Sequence, residues 1–173
     1  MKTVDFILDL LDRVQQELTK AVDSLTDEEM AWRPGPGANS IGFVLWHQMR
    51  CEDQMVHAWI QGETQSWVSE QWFRKLNLPD DPGKDGYGYT AEQVAAFLVP
   101  PLKDLLDYGA AVRIRTVQYL KNLAPEELDR VVHIEPLPEV DKVSELFSSL
   151  LVEIALHVGQ IAYLRGLQRG IDK

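Results

Sequence analysis

Apolar residues recur at spacings of three and four over four long stretches of the chain, which is the period of an amphipathic helix. The first stretch covers residues 4–24, and its apolar positions are Val4, Ile7, Leu8, Leu11, Val14, Leu18, Val22 and Leu25. Thr3 is suited to cap its amino end. The pattern predicts a helix with one face in a core and the other face toward water.

The second long helix is predicted between a loop and a glycine. Residues 33–39 hold two prolines and two glycines, which exclude a helix there. Ser40 can cap a helix that runs to about Gln61, where Gly62 ends it. Residues 62–89 then form a connection of a length that is often functional, as in active-site lids.

The third and fourth long helices follow in the second half of the chain. Pro100-Pro101 can stand in the first turn of a helix but not in its interior, so the third helix is predicted from about 101 to 122. Asp141 can cap the last helix, 142–169, and Gly170 closes it.

Short elements are predicted within the connections. Thr26–Glu29 and Thr90–Gln93 each match a capping box, which predicts a short turn and a short helix over 91–98. The segment SWVSEQWFRKL, 66–76, is predicted to be one short helix. Residues 131–139, VVHIEPLPE, hold two prolines and are predicted to be an extended loop.

These elements predict an all-α fold, a four-helix bundle with short extra helices in the connections. No βαβ alternation and no internal repeat is evident. The 173 residues suit one domain with one core, so residues 1–173 are assigned to a single helical domain.

Composition narrows the partners and the compartment. The formal charge of −10 argues against nucleic acid or an anionic membrane as a partner, because both attract basic surfaces. Cys51 is the only cysteine, so no intrachain disulfide can form, which fits a reducing cytoplasm. No window approaches the roughly 18 apolar residues of a membrane span. We expect a soluble cytoplasmic protein.

The last helix carries two polar residues where packing favours hydrocarbon. Glu153 and His157 are four residues apart, so they point the same way, beside an apolar stripe that includes Ile154 and Ile161. A buried carboxylate needs a cation or hydrogen-bond donors. The pair is either a hydrogen-bonded Glu–His pair or two ligands of one metal ion.

A metal site needs a third protein ligand, and His47 is the best candidate. It lies mid-helix among apolar residues in IGFVLWHQMRCED; the alternative is a buried histidine bonded to a backbone carbonyl. Two imidazoles and one carboxylate suit zinc, nickel, iron and manganese, and leave positions open for water or substrate.

The remaining histidines and the cysteine are expected to have ordinary roles. His57 forms a rival pair with Asp53, but ten residues rotate it by about 80° from His47, and it is predicted to be a surface residue. His133 is predicted to lie on the surface of the loop. Cys51, one turn after His47, is predicted to be a packed thiol.

The stretches WRPGPGANSIGFVLWH and ExxxHVGQIAYLRGLQRG resemble the DinB-like superfamily of bacterial helical bundles, including its mycothiol-dependent maleylpyruvate isomerase branch. The resemblance implies an up-down-down-up bundle, often dimeric, with a divalent metal, often zinc or nickel, held by three side chains. Many members have three histidines; Glu153 here departs from that pattern and matches the His, Glu, His set of the isomerase branch. The implied ligands are His47, Glu153 and His157.

Three functions follow as alternatives. Some members of the superfamily are S-transferases that use bacillithiol or mycothiol, which implies a metal-dependent thiol transferase acting on a small-molecule substrate, as a homodimer. A metal-dependent hydrolase is the second, although it needs a general base, for which only Glu52 and Asp53 are near in sequence. The third alternative is a non-catalytic, metal-stabilised binding or stress-associated bundle.

Arg50, Trp67 and Trp72 are expected to pack at the surface, with substrate contact as the alternative.

Overall fold

Four long helices, joined by connections that contain shorter ones, make up the fold. The computed structural model describes residues 3–134 and 142–170. In chain order the helices are α1 (Thr3–Val22), α2 (Asp27–Ala31), α3 (Ile41–Glu52), α4 (Ser66–Ser69), α5 (Trp72–Lys75), α6 (Ala91–Ala95), α7 (Leu102–Asn122) and α8 (Val143–Arg169). A π-helical segment, Asp53–Ile60, continues α3, and a 3-10 turn, Pro125–Asp129, follows α7. The described residues contain no β-strand, which confirms the all-α prediction.

The directions of the long helices follow from the residues that meet between them. Arg165, near the end of α8, donates to the carbonyl of Asp23 at 2.6 Å, just past the end of α1, so α1 and α8 run in parallel. Met49 of α3 packs beside Gly109 of α7. Later in both stretches, Gln61, just past the π-helical segment that continues α3, shares a cavity wall with Tyr119 of α7. Helices α3 and α7 are therefore also parallel.

The relative direction of α3 and α8 follows from two pairs of neighbouring residues. The rings of His47 and His157 lie 4.9 Å apart, whereas Met55, in the π-helical segment that continues α3, shares a cavity wall with Ser149, which comes earlier in α8. These two helices are therefore antiparallel. Together the three relations give the up-down-down-up topology.

Three of the predicted amino-terminal caps form, because each depends only on residues a few positions apart, whereas Thr3 is the first residue of α1 and not its cap. Thr26 with Glu29 and Thr90 with Gln93 make complete capping boxes, and the Ser40 hydroxyl accepts the Phe43 N–H. The π-helical segment ends before Gly62, which has a φ of +68°. A left-handed residue at this place is the common way to end a helix.

The connections differ from the predictions in detail. The segment 66–76 forms two short helices, α4 and α5, because Gln71 between them has a φ of +56°. Helix α6 ends at Ala95, earlier than predicted. Helix α8 begins at Val143; Asp141, predicted as its cap, and residues 135–139 of the predicted loop lie outside the described residues. His133 is exposed, as predicted.

Helix α8 is the one helix among the described residues that is long and apolar enough to cross a bilayer, judged by length and composition alone. The expectation that no window approaches such a span is wrong. Core helices of soluble proteins pass the same test, and α8 packs against α1 and α3. Its outward face carries the exposed residues Val152, Leu156, Tyr163 and Leu167. The single-domain assignment, the cytoplasmic location and the absence of a membrane partner stay predictions.

Candidate metal centre

The three residues implied as ligands come together between α3 and α8. Nε2 of His157 is 2.9 Å from Oε1 of Glu153, and Nε2 of His47 is 3.3 Å from the same oxygen. The two imidazole rings are nearly perpendicular, at 78°. Two nitrogens thus converge on one carboxylate oxygen from two helices, and His47 is more than a hundred residues from Glu153 and His157 in sequence.

In each histidine, Nδ1, the ring nitrogen that does not approach Glu153, has its own hydrogen-bond partner. Nδ1 of His47 donates to the backbone carbonyl of Asp85 at 2.6 Å, and Nδ1 of His157 donates to Oε1 of Gln160 at 3.0 Å. In a neutral imidazole this leaves Nε2 with a lone pair and no proton. Two lone pairs and a carboxylate that face each other need a shared cation or extra protons. This is also the arrangement in which metal-bound histidines are held by outer partners.

The pKa shifts show the same need for positive charge. Burial alone would lower the pKa of His47, but the neighbouring Cys51 and Glu153 side chains outweigh burial and raise it to about 10. Hydrogen bonds from His157 and His47 hold the pKa of Glu153 far below its usual value. The carboxylate is therefore ionised at neutral pH. A divalent cation of the kind that imidazole and carboxylate bind fits these residues.

A cavity of about 370 Å³ opens beside the cluster. His47, Cys51 and Glu153 form its polar wall, and Met55 and Trp59 contribute apolar surface. Pockets that bind small molecules begin near this size. Burial raises the pKa of the Cys51 thiol, and His47 opposes the rise only in part. Cys51, predicted to be a packed thiol, is buried but faces this site.

A loop in the 62–89 connection contacts His47 at Nδ1, the ring nitrogen that does not approach Glu153. Asp85 supplies the carbonyl that accepts from His47, and Gly86 follows with a φ of +99°. A Cβ at Gly86 would lie 3.0 Å from the rings of Phe43 and Trp46 and 3.3 Å from Nδ1 of His47. Only glycine fits this conformation and this gap. Sequence reasoning did not find Asp85 or Gly86, because both act through the backbone.

Arg50 fastens the same loop to α3. Its guanidinium donates to the carbonyl of Pro82 at 2.8 Å and to the hydroxyl of Tyr108 at 3.2 Å. It also stacks over the ring of Trp67, 4.3 Å from the centroid. The prediction that Arg50, Trp67 and Trp72 pack at the surface is wrong: all three are buried, and none of them lines the cavity beside Glu153.

Asp53 is the centre of a second buried polar cluster. Its carboxylate accepts from His57 at 2.6 Å, from the Tyr108 hydroxyl at 2.8 Å and from the backbone N–H groups of Ser66 and Trp67 at 2.9 and 2.8 Å. The surface prediction for His57 is wrong, since its side chain has no exposure. The 62–89 connection covers the Asp53–His57 pair and supplies the two backbone donors.

The two carboxylates that were near His47 in sequence both have structural partners. Glu52 accepts from Arg113 through both oxygens, at 2.8 and 2.7 Å, and Asp53 is bound as described. Neither is available to activate water at the cavity. The hydrolase alternative therefore loses the two bases that the sequence offered.

Replacing Gly86 with alanine is expected to weaken metal binding by about 10- to 100-fold, the usual effect of losing an outer partner of a ligand. The added methyl group pushes the loop away from His47 and breaks the Asp85 hydrogen bond. Gly88→Ala is the matched control, because Gly88 also has a positive φ, +70°, but no atom within 4 Å of a Cβ. Isothermal titration with zinc measures both. Equal losses of zinc affinity in Gly86→Ala and Gly88→Ala would show that backbone strain, and not contact with His47, is the cause.

The sequence and the fold are both similar to those of known proteins. The family model of the DinB superfamily matches residues 10–161. A crystal structure described as that of a conserved protein from Enterococcus faecalis is similar, with a TM-score of 0.85 and 27% identity over 96% of this chain and 97% of that one. No protein of curated function matches the sequence. The match spans most of the chain, including His47, Glu153 and His157, and the chain belongs to the DinB superfamily.

Proposed function

We propose that the protein binds one divalent metal ion through His47, Glu153 and His157 and acts as a thiol S-transferase. The observation that carries the proposal is the convergence of the Nε2 atoms of two imidazoles on one carboxylate oxygen beside a cavity. Zinc or nickel is proposed, and iron or manganese suits the same donor atoms. A metal ion at this site supplies the positive charge that turns a bound thiol into a thiolate at neutral pH.

The residues around the cavity suit a small thiol and its electrophilic partner. The carbonyl of Asp85 keeps Nε2 of His47 directed toward Glu153. Met55 and Trp59 offer an apolar wall that excludes water from one side. The non-catalytic alternative predicts a centre sealed by packing, so the cavity beside His47 and Glu153 favours an enzyme. The expectation of a homodimer stays a prediction.

A thiol-transfer screen tests this function. Metal-loaded protein is mixed with bacillithiol, mycothiol, glutathione or coenzyme A and with 1-chloro-2,4-dinitrobenzene. In the reaction a carbon–sulfur bond forms, chloride leaves and the thiol proton passes to solvent. We expect at least one thiol to react faster with the metal-loaded protein than with the same protein stripped of metal by a chelator. Rates that no thiol raises above those of the metal-free protein contradict the transferase proposal.

A further inference from the structure

Cys51 belongs to a cluster of side chains that contains His47 and Glu153, two of the three proposed ligands. It is the only cysteine in the chain and follows His47 by one turn of α3. Its sulfur is 3.7 Å from each ring nitrogen of His47. The ligand atoms of His47, Cys51 and Glu153 all lie within 4.8 Å of one another. Imidazole, thiol and carboxylate therefore border one small volume at the cavity wall.

A hydrogen bond between the thiol and His47 does not explain this position. A donor to an imidazole nitrogen lies along the lone pair of that nitrogen and is much closer to it than to the other nitrogen. Here the two distances are equal. Nδ1 of His47 is in addition already bonded to the Asp85 carbonyl. The sulfur therefore lies beside the ring and is not directed at one nitrogen.

The distances match those between ligands of one tetrahedral metal ion. Bonds of about 2.0–2.1 Å to nitrogen or oxygen and about 2.3 Å to sulfur separate nitrogen from oxygen by about 3.3 Å and nitrogen from sulfur by about 3.6 Å. Nε2 of His47 is 3.3 Å from Oε1 of Glu153 and 3.7 Å from Sγ of Cys51. The separations of Nε2 from Oε1 and from Sγ therefore already match those of ligands on one ion, and Sγ would move away from Nδ1 to complete the arrangement.

We propose that the thiolate of Cys51 is a fourth protein ligand of the metal centre. The inference rests on the proposed metal site but not on the proposed reaction. A thiolate makes the site softer than two imidazoles and a carboxylate alone. It favours zinc and cobalt(II) over manganese and magnesium, which prefer oxygen ligands.

Cobalt(II) titration in thiol-free buffer tests the inference, because a thiolate bound to cobalt(II) gives a charge-transfer band in the near ultraviolet. We expect the band in the wild type, and we expect Cys51→Ser to bind one cobalt without it. Met55→Leu is the matched control, since it removes the other sulfur atom at the cavity wall and leaves Cys51 in place. It should keep the band.

The possible results distinguish the role of Cys51 as a ligand from the existence of the metal centre itself. A wild-type protein that binds one cobalt without the band, or a band that persists in Cys51→Ser, overturns the role of Cys51 and leaves the metal centre standing. A wild-type protein that binds no cobalt overturns both. If Cys51→Ser does not fold, alkylation of the wild type decides: bound zinc should protect the single thiol from iodoacetamide, and equal rates with and without zinc contradict the inference.

Discussion

Replacing Glu153 with glutamine is expected to weaken metal binding by more than about 100-fold, since losing even an outer partner of a ligand costs 10- to 100-fold. The carboxylate supplies the only negative charge among His47, Glu153 and His157, and its oxygen is the atom on which both imidazoles converge. An amide keeps the shape but loses the charge. The two imidazoles then lack their anionic partner.

Isothermal titration with zinc, together with elemental analysis of the purified protein, measures this effect. Glu145→Gln is the matched control, because Glu145 is the other acidic residue of α8 and lies two turns earlier, at the start of the helix. Circular dichroism should show the same helix content for both variants. Zinc affinity within a few-fold of wild type in Glu153→Gln would remove this residue from the ligand set.

Replacing Asp53 with asparagine is expected to destabilise the fold by roughly 3–5 kcal/mol, the cost of breaking a buried pair by removing one partner. Arg50 lies 3.7 Å from the Asp53 carboxylate, and neither side chain has any exposure. The four donors that face Asp53 also require acceptor oxygens, and an amide offers only one. For a chain of this size the midpoint of thermal unfolding should fall by about 10 °C.

The pH dependence of folding stability is a second test of the buried cluster around Asp53. Burial alone would raise the pKa of Asp53, but the hydrogen bonds from His57 and from the Trp67 N–H outweigh it and lower the pKa. The contribution of Asp53 to stability is therefore fully present above its unfolded pKa of about 4 and is lost as the pH falls below it. Asp53→Asn should show a weaker loss of stability in acid than the wild type.

Denaturant unfolding at several pH values measures both effects. Asp9→Asn is the control, since Asp9 pairs with Arg13 on the surface of α1, with about half of its side chain exposed (49%). Its unfolding midpoint should stay close to that of the wild type. An unfolding midpoint of Asp53→Asn that matches the control would show that the cluster does not support the fold.

Local features could be predicted from the sequence, because their causes lie within a few residues. Helix α1 followed from its apolar period, and the capping box at Thr26 from two residues three positions apart. The pair Glu153–His157 followed from its spacing on one helix face. His47 needed the resemblance as well, since its partners are more than a hundred residues away.

Most of the failures share one physical cause, which is contact with groups distant in the chain. Asp53–His57 has the same spacing as Glu153–His157, yet its burial depends on N–H groups 13 and 14 residues later and on a hydroxyl 55 residues later. No residue type marks a carbonyl such as that of Asp85. The π-helical segment that begins at Asp53 also escapes a reading based on the α-helical period.

Anomalous diffraction from crystals grown with zinc locates a bound ion without reference to activity. We expect one anomalous peak at the zinc edge, about 2.0–2.2 Å from Nε2 of His47, Nε2 of His157 and an oxygen of Glu153. A peak elsewhere in the molecule, or no peak while the Glu153 carboxylate stays hydrogen-bonded to both imidazoles, would contradict this expectation.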